Sequence, residues 1–101
     1  MIHAMAAPFV VQFADRQGHF RTALVCKLGR KFAQLIWVDS SVSGQGIRVH
    51  RAPLRSVLRY SRPIEPAYPP KKAARKILDA GKVLGITKGA KKLLKEVGGI
   101  R

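Results

Sequence analysis

Phe20–Asp39, FRTALVCKLGRKFAQLIWVD, decides the fold class. In its first half Phe20, Thr22, Leu24, Cys26 and Leu28 alternate with Arg21, Ala23, Val25 and Lys27, a period of two that belongs to a strand. The first of these faces is expected in the core and the second is mixed. In the second half Phe32, Gln34, Ile36 and Val38 alternate with Ala33, Leu35 and Trp37. Both faces there are largely apolar, as in the most buried strand of a small sheet. Gly29-Arg30-Lys31 is a tight basic turn between the two runs, so the stretch reads as a β-hairpin on which further strands assemble.

Working outward, Pro8–Ala14 is a strand with Phe9, Val11 and Phe13 on one face, and Asp15-Arg16-Gln17-Gly18 is a type I turn leading into the hairpin. On the other side, Ser40–Gly46 is a polar, glycine-rich loop expected to be mobile, and Ile47–Ala52 is a fourth strand. Pro53 breaks it. Leu54, Val57 and Leu58, at i, i+3 and i+4, suit a single helical or 3₁₀ turn, and Arg59–Ile64 adds a short fifth strand. Four longer strands in meander order, a one-turn helix and a short last strand resemble an SH3-like small β-barrel, over roughly Phe9–Ile64 and in element order alone. The resemblance implies a scaffold often used to hold nucleic acid or protein segments, a choice that fold by itself does not make.

Arg62–Pro70 holds four prolines in nine residues. Each fixes its own φ and restrains the residue before it, giving an extended, semi-rigid connector. Beyond it, Lys71–Arg101 carries ten Lys or Arg against Asp79 and Glu96. Ala74, Ile77 and Leu78, then Ala90, Leu93, Leu94 and Val97, recur at helical spacing. Two short basic helices are predicted, the first starting near Lys71 after Pro69-Pro70 and ending around Gly81 or Gly85. The second is capped by Thr87 and ends at Gly98. The expected architecture is therefore mainly β with C-terminal α: a five-stranded SH3-like barrel over residues 1–62, a connector over 63–70 and a basic helical tail over 71–101. Removal of the tail is expected to leave the barrel folded.

The 20 Lys or Arg against five acids give a formal net charge of +15. Such a surface seeks a polyanion, and lysines at this density with few acids to pair with gain most by displacing counterions from a phosphate backbone. Nucleic acid, DNA or RNA, is the expected partner, bound with low sequence specificity. The expected contacts are Lys71, Lys72, Arg75, Lys76, Lys82, Lys88, Lys91, Lys92 and Lys95 in the tail, with Arg16, Arg30, Lys31 and Arg48 from turns and strands. Arg21, Lys27 and Arg48 are equally well explained as solvent-facing strand positions. The alternative is an adaptor, or an inhibitor of viral origin, docking its basic surface on an acidic face of a transcription, replication or virion assembly. Tyr60 and Tyr68 are the expected exposed aromatics, whereas the four Phe suit the core.

Catalysis is not expected: the five acids are far apart in sequence, with no pair placed for acid/base work. His3, His19 and His50 lack metal-ligand spacing with Cys26, and no phosphate-cradling glycine loop is present, so no metal or cofactor is expected. Cys26 in a strand reads as a buried free thiol in a reducing compartment. Without a charged leader or a long apolar run, the chain is expected to be cytoplasmic, nucleoid-associated or inside a larger particle, and not in a membrane.

Overall fold

The computed structural model describes residues 6–38 and 46–100. The expected mobile loop lies outside the described residues except for Gly46, and His3 and Asp39 lie outside them as well. The strands are β1 (Phe9–Ala14), β2 (Phe20–Leu28), β3 (Phe32–Trp37), β4 (His50–Pro53) and β5 (Arg62–Pro63). The helices are α1 (Leu54–Tyr60), α2 (Pro70–Leu84) and α3 (Lys88–Gly98).

All strand pairs are antiparallel and the order across the sheet is β4-β3-β2-β1-β5. The meander is as expected, but among the described residues β4 and β5 do not pair, so the sheet is open and the expected closed barrel is not seen. The short last strand accounts for part of this. β5 is two residues long, and its Pro63 has no N–H with which to extend a ladder.

Because the central strands alternate apolar residues on both sides, the sheet carries two cores. On one face Phe9, Val11, Phe13, Ala23, Val25, Ala33, Leu35 and Ala52 pack with Val57 of α1. On the other, Val10, Leu24, Cys26, Ile36, Val38 and Ile47 pack with Ala73, Ala74 and Ile77 of α2 and Ala90, Leu93 and Leu94 of α3. The alternation of β2 is interrupted by a register shift between Val25 and Lys27. Such a bulge adds one residue to one strand and turns the following side chains over. Leu28, expected beside Leu24 and Cys26, therefore packs on the α1 face, and Lys27 reaches Glu96 of α3 at 3.9 Å. Phe20 and Phe32 also depart from expectation: they are 40% and 42% exposed, beneath the guanidiniums of Arg62 and Arg51.

The change in composition at the connector is not matched by a break in packing. Ile64 and Tyr68 of the connector lie against the same cluster that joins the sheet to α2 and α3. Ile47 ties the helices down from the other side. Its N–H donates to the Gly85 carbonyl and its carbonyl accepts from the Thr87 N–H, at 2.9 and 3.0 Å, gripping the turn between α2 and α3. Gly46, at φ +76°, is required for that grip, because a Cβ there would lie 2.9 Å from the Gly85 oxygen.

Candidate functional site

The two helices are built so that their small residues face inward and their cations outward. α2 buries Ala73, Ala74, Ile77 and Gly81. It runs through Gly81, where the sequence placed an end, and Ile86 packs so closely there that a Cβ on Gly81 would meet the Ile86 Cβ at 3.2 Å. The helix stops at Gly85, also at positive φ. Thr87 caps α3 as expected, its hydroxyl accepting from the Ala90 N–H at 3.3 Å. Gly98 is the last helical residue and the left-handed cap is Gly99, one position beyond the expected one.

Between the outer surfaces of α2 and α3 lies a groove of about 690 Å³, with Leu78, Ile86 and Ile100 among its apolar lining and Arg75, Lys82, Lys91 and Lys95 among its cations. One carboxylate, Asp79, shares it and pairs with Lys82 at 3.4 Å. Among the described residues no ion pair reaches Arg75, Lys91 or Lys95. Four of the expected tail contacts thus converge from helix positions 75, 82, 91 and 95, which are separated along the chain by a turn. Lys72, Lys76, Lys88 and Lys92 are exposed on the same helical pair, though none of them lines the groove. The Lys71 ammonium lies against the end of α3, 3.7 Å from where a Cβ on Gly99 would sit. A cation there faces the negative end of the α3 dipole. At the tip of the pair Val83 is 89% exposed.

The remaining expected contacts are elsewhere. Arg30 and Lys31 are exposed at the β2–β3 turn, which α1 braces through a Leu54 N–H donating to the Lys31 carbonyl at 2.9 Å. Arg16 and Arg48 stand at the opposite end of the sheet, with residues that sequence reasoning left undecided. Trp37 stacks on Phe13 with centroids 6.4 Å apart, holds the Arg21 guanidinium 4.8 Å from its centre, and meets the His50 ring at 6.2 Å. Neighbours of Trp37 along β3, Ile36 and Val38, belong to the helix-side core. Trp37 and Arg21, which lies opposite Phe13, therefore point to the other face. The His50 imidazole is held below its ordinary pKa, first by partial burial and then by the charges of Arg48, Arg16 and Arg21. No spacing in the sequence announces this cluster. It arises from β-ladder register, which sets residues from four strands and the segments flanking them side by side.

Cys26 is buried. Burial pushes its thiol pKa up to about 12, with Lys27 opposing and Glu96 reinforcing the shift, so it stays protonated and chemically quiet near neutral pH. No helix among the described residues is long and apolar enough to cross a membrane.

Compared with protein-family models, curated proteins and solved structures, the chain matches none.

Proposed function

We propose that this chain is a nucleic-acid-binding protein that holds phosphates on the surface of α2 and α3, with little sequence specificity, and that its sheet is an SH3-like scaffold for that surface. The strand order β4-β3-β2-β1-β5, with a short helix between β4 and β5, supports the scaffold reading. The observation that carries the function is the convergence of Arg75, Lys82, Lys91 and Lys95 on one groove containing a single carboxylate. Lysines contribute point charges without reading bases, and each phosphate neutralised releases counterions. Affinity for duplex DNA or RNA is therefore expected to fall by several log units per log unit of salt. The variant Arg75→Gln/Lys82→Gln/Lys91→Gln/Lys95→Gln is expected to lose at least about tenfold in affinity and to flatten the salt slope by about three to four units, roughly 0.9 for each phosphate contact removed. Fluorescence anisotropy at a series of salt concentrations measures both.

The apolar lining of the groove and the exposed Val83 favour a second reading, in which the same surface docks on an acidic protein face. Firm retention on heparin with no binding of DNA or RNA near physiological salt is the result that would select it.

A further inference from the structure

We propose that the cluster of Arg16, Arg21, Arg48, Trp37 and His50 is a second phosphate-binding surface, and that the protein uses its two surfaces to bridge two separate nucleic-acid segments. The inference rests on the reading of α2 and α3 as a phosphate-binding surface and adds a second, opposed one to it. Arg21 and Trp37 sit on the side of the sheet turned away from the helix layer, as shown by the register of β1 with β2 and by the core that Trp37 joins. His50 lies opposite Leu35 of that same core. Arg48 precedes His50 by two residues, and Arg16 comes from the β1–β2 turn at the same end of the sheet. Asp15 shares that turn, but one of its carboxylate oxygens accepts from the Gln17 and His19 N–H groups at 2.9 and 3.0 Å, an arrangement that shapes the turn.

Guanidinium forks match phosphate oxygens in a way that ammonium groups do not, and the half-buried indole of Trp37, stacked on Phe13, holds the Arg21 guanidinium over its ring. The two surfaces act independently. The molecule measures 34 × 30 × 28 Å, about four Debye lengths at physiological salt, so a polyanion on the helix side barely screens the arginines on the other. A duplex is stiff over roughly 150 base pairs, and one short segment cannot bend round the protein to touch both sides. A second occupant must then be a second segment.

The test uses the full chain and a biotinylated duplex DNA of ~40 base pairs, well below the persistence length, held on beads with a fluorescent duplex of the same length in solution. The wild type is expected to capture the fluorescent duplex, with a maximum at intermediate protein and a decline at excess protein as each duplex becomes coated separately. Arg16→Gln/Arg48→Gln, two exposed positions away from the groove, is expected to bind a single duplex within about threefold of wild type by anisotropy while capture falls at least about tenfold. The chain's one tryptophan lies in the proposed surface, so its emission is expected to shift as a second duplex equivalent is added, and this response is lost in the same variant. Tight binding of one duplex with no capture of a second overturns the bridging inference and leaves the proposed function standing. Capture by Arg16→Gln/Arg48→Gln equal to wild type also overturns it, since bridging would then come from self-association. Failure of the wild type to bind any duplex overturns both.

Discussion

His50 reports most directly on the charge around it. Its folded pKa is held below the ordinary value of 6.5 by partial burial and by Arg48, Arg16 and Arg21, so the folded protein favours the neutral ring. As pH falls through about 6.5 the unfolded chain takes up a proton that the folded chain resists, and stability declines until the depressed folded value is passed. Thermal melts between about pH 7.5 and pH 5 are expected to show this decline, and His50→Gln is expected to reduce it. A polyanion bound beside the ring offsets the three guanidiniums and is expected to raise the His50 pKa, observable as a shift of its imidazole NMR titration. Little of this was legible in the sequence. His50 appeared there as a strand histidine without ligand spacing, and Arg21 as an outward strand residue, because pairing partners across a sheet are set by register, which composition does not encode.

At the level of elements, the helices were legible and their role was not. The i, i+3, i+4 pattern placed both of them, and Thr87 marked the start of α3. The sequence also suggested that the tail could be removed without harm to the sheet. The packing argues otherwise: without α2 and α3, the side chains of Leu24, Ile36 and Ile47, each no more than 1% exposed, lose the layer that covers them. Burial of one such side chain is worth about 1.5–3 kcal/mol, against a typical total stability of about 5–15 kcal/mol for a whole domain. Truncation after Pro69 is therefore expected to abolish cooperative unfolding, seen as loss of the thermal transition by circular dichroism and collapse of NMR dispersion. A truncated chain that melts cooperatively would mean that the sheet and α1 suffice. The bulge at Cys26 in β2 was equally invisible beforehand, since Leu24, Cys26 and Leu28 alternate straight through it in sequence although Leu28 packs on the other face.

Across the whole molecule, a formal charge of +15 on 101 residues makes the compact state repel itself, and only two ion pairs are present among the described residues, both between well exposed side chains. Exposed pairs of that kind contribute little. Stability is expected to rise with moderate salt and further with a bound polyanion, measured as an increase in Tm that the polyanion produces at lower ionic strength than sodium chloride does. By itself the sequence determined the strand and helix content, the meander order, the helix starts and the sign of the surface, because periodicity, turn residues and charge act locally or by simple addition. Only the tertiary structure decided that the sheet stays open, that the basic helices form half of one core, and that the cations divide between two sides of the sheet. Those outcomes depend on register and on close approach between residues far apart in the chain, Gly46 against Gly85 and Arg21 over Trp37 among them, and such meetings are properties of the packed molecule.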